Sequence, residues 1–267
     1  MKNRLLNQID KIQKRKEKIF CAFLTLGYPN LKSSAHLIEL FDQEGVDIVE
    51  LGFPFSDPMA DGPTIQFSSE KALEKKIKVK DAFQTVSSLR KKGVKVPIIF
   101  FSYLNPIFHY GFKRFVKEAK ASGFDGVIIP DLPPDEEVEF QKECHRHGLS
   151  QIFLVTPTTE KARAKMISAK SSGFVYYVSL RGVTGARKQL PSHVKADLAK
   201  FKSSIRKPVL IGFGVSSPDQ AKSLSQVSAG VIVGSAIVNK IRESGGSIHQ
   251  AVSFVRKMVA GVKGKRI

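Results

Sequence analysis

The sequence predicts an α/β fold, a (β/α)8 TIM barrel with an extra N-terminal helix. Eight short apolar runs alternate with amphipathic helical stretches. Spread over 267 residues, that repeat is roughly 33 residues per unit, the spacing of barrel units. The runs are apolar throughout, as parallel strands buried on both faces must be. A doubly wound open sheet shares the alternation and is the competing architecture. No linker or low-complexity segment interrupts the pattern, so residues 1–267 are expected to form a single TIM-barrel domain.

The elements follow in order. A helical pattern at about Arg4–Lys18 precedes the first run and could plug the barrel floor. The runs are Phe20–Leu26, Ile48–Leu51, Pro97–Tyr103, Gly126–Ile129, Ile152–Val155, Phe174–Val178, Val209–Ile211 and Gly230–Val233. Between them, Leu37, Ile38, Leu40 and Phe41 form one helical stripe, and Phe112, Phe115, Val116 and Ala119 another. Asn105-Pro106 has the form of a helix cap followed by Pro at the first helical position. Ser217-Pro218-Asp219-Gln220 has the form of a capping box. Gly45, Gly93, Gly123, Gly148 and Gly173 each follow a helical stretch, where a left-handed residue is wanted.

Composition excludes several classes. An apolar content of 42% is too high for a disordered chain. No apolar run approaches the roughly 20 residues that span a bilayer. Met1–Leu5 carries charge with no apolar core behind it, which is not a secretory signal. Cys21 and Cys144 read as buried free thiols without metal spacing, and a cytoplasmic location is expected. The net charge of +19 raises nucleic acid as a partner. Yet residues 1–18 hold seven basic and two acidic side chains, and residues 251–267 hold five basic and no acidic ones. About half the excess thus sits at the two ends, as solvated helix faces and a basic tail would place it, and no nucleic-acid or membrane partner is expected.

Chemistry in such a barrel belongs at the carboxyl ends of the strands. Glu50 closes an otherwise apolar run, and period-two alternation puts it on the same face as Ile48. If that face points inward, desolvation raises its pKa towards neutrality and one carboxyl can serve as both acid and base. The alternative is a Glu paired with Lys or Arg at the strand end. The loop Phe53–Pro63 that follows is long, stiffened by three prolines and carries Asp57 and Asp61. Gly182-Val183-Thr184-Gly185, Gly212-Phe213-Gly214 and Gly234-Ser235 follow the sixth, seventh and eighth runs. Glycine-rich turns opening helices there fit a phosphate site. Of the adjacent Tyr176 and Tyr177 only one can face inward, and these residues and Tyr103 also read as core aromatics. His145 and His147 do not share a helix face, and no metal pattern appears.

Glu50-Leu51-Gly52-Phe53-Pro54-Phe55-Ser56-Asp57-Pro58-Met59-Ala60-Asp61-Gly62-Pro63-Thr64-Ile65-Gln66 resembles the signature of tryptophan synthase alpha chains. Further likenesses are Asp125–Pro133, Tyr103 with Asn105-Pro106, Gly182–Arg187, Ile211–Val215 and Val233–Val238, so the resemblance spans nearly the whole chain. It implies a lyase of L-tryptophan biosynthesis that splits indole-3-glycerol phosphate into indole and glyceraldehyde 3-phosphate by a retro-aldol reaction. It implies Glu50 as acid/base, Asp61 as acceptor of the indole N–H, and Tyr176 as a hydrogen-bonding group near the glycerol chain. The indole would lie against Phe23, Tyr103, Ile129 and Ile232. Thr184 is the further substrate-binding residue, and the phosphate would rest on N–H groups of Gly185, Phe213, Gly214, Gly234 and Ser235. The resemblance further implies no cofactor on this chain and an α2β2 heterotetramer with a beta chain that carries pyridoxal phosphate. Pro54–Pro58 and Asp131–Pro134 resemble the segments that meet that partner, and Gly182–Pro191 would be a lid. Arg181 stands where the family more often has a small residue. A subunit without activity of its own, or another phosphate-sugar barrel, would not need the acid, the aspartate and the Phe53–Gln66 loop together.

Overall fold

The computed structural model describes residues 3–178, 192–201, 203–212 and 214–264. In chain order the elements are α1 (Arg4–Lys14), β1 (Ile19–Thr25), α2 (Leu31–Gln43), β2 (Ile48–Gly52), α3 (Pro63–Leu73), α4 (Val79–Lys91) and β3 (Ile98–Phe101). There follow α5 (Leu104–Tyr110), α6 (Phe112–Ser122), β4 (Gly126–Ile128), α7 (Val138–His147), β5 (Ser150–Ile152), β6 (Leu154–Val155), α8 (Lys161–Lys170) and β7 (Val175–Val178). The chain continues through α9 (Ser192–Phe201), β8 (Val209–Gly212), α10 (Pro218–Val227), β9 (Gly230–Val233), α11 (Ser235–Glu243) and α12 (His249–Lys263).

The strands pair in parallel in the order β5-β4-β3-β2-β1-β9-β8-β7-β6. The two ends of that order, β5 and β6, are one run of chain broken at Phe153. The fifth expected strand is therefore split in two: β5 pairs with β4 and β6 with β7. A closed barrel staggers its strands, so one strand meets its two neighbours over different stretches. The seam is closed by Ser172 N–H donating to Gln151 O (2.6 Å) and Tyr176 N–H donating to Phe153 O (3.1 Å). The ring is that of an eight-unit barrel, not an open doubly wound sheet.

Alternation sorts the side chains into two apolar layers. Ile19, Cys21, Ile48, Ile99, Ile128, Ile152, Phe174, Leu210 and Ile232 fill the barrel interior, and Leu5, Ile9 and Ile12 of α1 pack against them. The N-terminal helix thus plugs the barrel floor as expected, although it ends at Lys14 and not Lys18. Phe20, Ala22, Leu24, Val49, Leu51 and Phe100 belong to the second layer, between strands and helices. Gly45, Gly93, Gly123, Gly148 and Gly173 all take positive φ, as their positions after helices required.

Two helix caps differ from expectation. Helix α5 starts at Leu104 with Tyr103 at the cap position, and Leu104 N–H donates to Asp131 Oδ1 (2.9 Å). A carboxylate from the neighbouring β4 loop thus does the capping assigned to Asn105. At α10, Ser217 caps Gln220 N–H at 3.3 Å, but the Gln220 side chain reaches back to Ser216 N–H (2.9 Å) instead of to the cap residue.

Candidate active site

Strand β2 carries Glu50 inward. Ile48 lies in the interior layer while Val49 and Leu51 face the helices, so Glu50 shares the inner face of Ile48. The residue is fully buried. Its Oε1 accepts a hydrogen bond from Cys21 Sγ (3.6 Å), and its Oε2 has no partner. No Lys or Arg side chain among the described residues pairs with it, so the ion-paired alternative is not realised. An unpaired carboxylate is costly to bury ionised, so the group holds its proton instead. Burial raises Glu50 from 4.5 to about 8, with the Cys21 hydrogen bond opposing.

A cavity of about 870 Å³ opens at the carboxyl ends of the strands. Phe23, Asp61, Tyr176, Gly214, Ile232, Gly234 and Ser235 line it together. Two close approaches shape its floor. A Cβ on Gly52 would lie 2.4 Å from Phe23 Cζ, and one on Gly212 would lie 2.2 Å from Tyr176 Oη. Glycine at the ends of β2 and β8 therefore makes room for the Phe23 and Tyr176 rings inside the barrel. Phe23 also meets Phe101 edge to face (5.5 Å between centroids). Of the tyrosine pair, Tyr176 faces in and Tyr177 faces out, where its hydroxyl donates to Asp197 Oδ2 (2.8 Å).

Three expected site residues stand elsewhere. Glu50 does not line the cavity but lies beneath its floor. Ile129 belongs to the layer between strands and helices, because alternation from the inward Ile128 turns it out. Tyr103 does not line the cavity. It is buried and stacked on Phe55 (5.3 Å), its hydroxyl donating to Asp61 Oδ2 (3.1 Å) and accepting from Ala60 N–H (2.9 Å). Tyr103 thereby fixes the Asp61 loop from behind. Burial raises Asp61 from 3.8 to about 6, with the Tyr103 hydroxyl opposing the shift. Gln66 Nε2–H, donating to Asp61 O (2.9 Å), ties the same loop to α3.

At the other end of the cavity, Gly234 caps α11 and Ser235 opens it. Ile237 and Val238 N–H both turn back to Gly234 O, while Ser235 and Ala236, whose first-turn N–H groups have no acceptor within the helix, line the cavity. Gly214 takes φ +77 and lines the same pole. Backbone donors at a helix start suit an anion. Thr184, Gly185 and Phe213, with the expected lid Gly182–Pro191 and Arg181, lie outside the described residues.

Some contributors were not foreseen. Ile65, Phe101, Leu132 and Phe153 supply the apolar walls. Phe101 was readable as an inward residue two positions after Ile99, whereas the Phe153 contribution follows from the break between β5 and β6, which has no local sequence signal. Cys21 is separated from Glu50 by 29 positions, and only the register of β1 against β2 brings them together.

The family model described as tryptophan synthase alpha chain matches residues 9–265. The tryptophan synthase alpha chain of Geotalea daltonii is 45% identical over 261 residues, covering 97% of this chain and 98% of that one. That of Geobacter sulfurreducens is 42% identical over 262 residues, covering 96% and 99%. Among solved structures, tryptophan synthase subunit alpha from Legionella pneumophila superposes with a TM-score of 0.91 at 32% identity, over 99% and 100% of the two chains. A chain of tryptophan synthase from M. tuberculosis in an aminoacrylate-bound form gives 0.87 at 30% identity, over 97% and 99%.

Proposed function

Because the chain belongs to the tryptophan synthase alpha chain family, it is a carbon–carbon lyase that cleaves indole-3-glycerol phosphate in tryptophan biosynthesis, and we propose how its residues divide that work. The reaction needs a proton at indole C3, so that the ring accepts the electrons of the breaking bond. It also needs a base for the glycerol hydroxyl that becomes the aldehyde. Glu50 performs both steps. Protonated at rest, it gives its proton to C3, and the resulting carboxylate takes the hydroxyl proton as the carbon–carbon bond parts. That hydroxyl proton restores protonated Glu50, and indole and glyceraldehyde 3-phosphate leave. Asp61, ionised, accepts the indole N–H and stabilises the positive charge on the protonated ring. Tyr176 hydrogen-bonds near the glycerol chain, and Phe23 and Ile232 flank the indole. The phosphate rests on the backbone of Gly214, Gly234 and Ser235, with Thr184, Gly185 and Phe213 completing that end.

The observation that carries this reading is the Glu50 carboxyl itself, inward on β2, with an unpartnered Oε2 and a pKa raised to about 8. Access to it requires the ring layer of the cavity floor to open above it. The proton balance closes without a cofactor on this chain. Indole release by the isolated chain tests the assignment: Glu50→Gln is expected to lose about 10²–10⁴-fold in kcat, and Asp61→Asn also to lose orders of magnitude, while substrate still binds. Full rate in Glu50→Gln would overturn it.

We propose that a tryptophan synthase beta chain, carrying pyridoxal phosphate, docks on the same rim as an α2β2 assembly. The exposed large apolar side chains among the described residues are Met59 (84%), Phe108 (64%) and Val138 (53%). They follow β2, β3 and β4, which are adjacent strands, so they share one side of the mouth, beside Pro54–Pro58 and Asp131–Pro134. Indole release measured with and without a beta chain checks this, since Phe108→Asp, outside the cavity, should abolish stimulation while leaving basal release. No helix among the described residues is long and apolar enough to cross a membrane, and a cytoplasmic location is proposed, checked by fractionation.

A further inference from the structure

We propose that Cys21 is a positioning residue for the proton-transfer carboxyl: its thiol holds Glu50 Oε1 and leaves Oε2 as the oxygen that exchanges protons with substrate. The inference rests on the acid/base reading of Glu50. Both side chains are fully buried, and the Sγ–Oε1 separation is 3.6 Å. In register, Phe23 stands beside Glu50 and Cys21 beside Ile48, so the thiol lies one inner position below the carboxyl. Within the apolar cluster that fills the barrel interior, every other member is aliphatic or Phe. Among its buried members Cys21 alone has a hydrogen to donate; the Tyr176 ring packs against the cluster as well, but it is the Cys21 thiol whose hydrogen bond the Glu50 carboxyl accepts.

A thiol suits this place for a chemical reason. Burial pushes the Cys21 thiol well up, and the Glu50 and Asp47 carboxyls push it further. It therefore stays S–H at working pH and cannot compete for the proton that Glu50 carries. As a weak neutral donor it favours the ionised carboxyl a little without holding it ionised. The titratable groups that interact with Glu50 are Cys21 from β1 and Tyr176 from β7, with Asp47 acting on Cys21 and Asp61, from the loop after β2, acting on Tyr176. Strands β3 and β9 present none.

The experiment is the pH profile of kcat/KM for indole release in the full chain, for wild type, Cys21→Val, Cys21→Ser and Glu50→Gln. Val keeps the volume and removes the donor. Its alkaline limb is expected to move up by about half a unit to one unit, with kcat reduced and KM unchanged. Ser keeps a donor and should leave the limb at or below its wild-type position. A parallel infrared titration of the protonated Glu50 carbonyl should move the same way in the Val variant, independently of turnover. If Val and Ser leave the limb in place, or shift it together, the positioning role is wrong while the acid/base reading stands. If Glu50→Gln keeps full rate, both fall.

Discussion

At the scale of single residues, the proposed mechanism rests on two carboxyls whose surroundings differ. Glu50 has one weak donor and no charge beside it, so burial takes it to about 8. Asp61 has the Tyr103 hydroxyl and partial exposure to the cavity, and it stops at about 6. Two acids separated in this way can be protonated and ionised at the same pH, as the proposed mechanism needs. Tyr103→Phe removes the hydroxyl that favours ionised Asp61, so the Asp61 pKa rises. Activity near pH 6 is expected to fall about three- to tenfold, with a much smaller effect near pH 7.5, measured as kcat/KM across pH. Glu50 and Asp61 were both legible in the sequence, because a Glu closing an apolar strand and an Asp in a stiff loop are local signals. The role of Tyr103 was not. Its ring reads as apolar wall until the fold places Asp61 42 positions away in sequence beside its hydroxyl.

At the scale of elements, the barrel positions the site by letting aromatic rings occupy space that strands normally fill with Cβ atoms. Gly52 and Gly212 sit under the Phe23 and Tyr176 rings. Gly212→Ala would put a methyl 2.2 Å from Tyr176 Oη, and backbone on a central strand cannot yield by that much. The Tyr176 ring should be displaced, and kcat/KM for indole release is expected to drop by about tenfold or more, with the circular dichroism of the fold retained. The alternating strand–helix order, the inward face of β2 and the floor-plugging α1 were all readable, since each depends on periodicity within one segment. The split of the fifth strand into β5 and β6 and the cap on α5 from Asp131 were not. Both arise from contacts between segments: barrel stagger in one case, a carboxylate from the next loop in the other.

At the scale of the whole molecule, the +19 charge has become partly structural. Arg4 and Arg90 bind the buried Asp125 at 3.1 and 3.0 Å. Lys263 reaches Asp47 at 2.7 Å and Arg256 reaches Glu44 at 2.6 Å. Several of the terminal cations therefore fasten α1 and α12 to the barrel floor, opposite the mouth. In the proposed reading the substrate end binds its anion through backbone donors, so the basic excess and the proposed chemistry are separate features of one fold. What joins them is direction: the floor is tied by ion pairs and the mouth is left to proton chemistry. The sharpest test is the pH dependence of kcat/KM for indole release by the isolated wild-type chain. A bell is expected, rising near pH 6 as Asp61 ionises and falling near pH 8 as Glu50 loses its proton. A rate that keeps climbing through pH 8 to 9 would contradict it, because the group that protonates C3 would then not be Glu50.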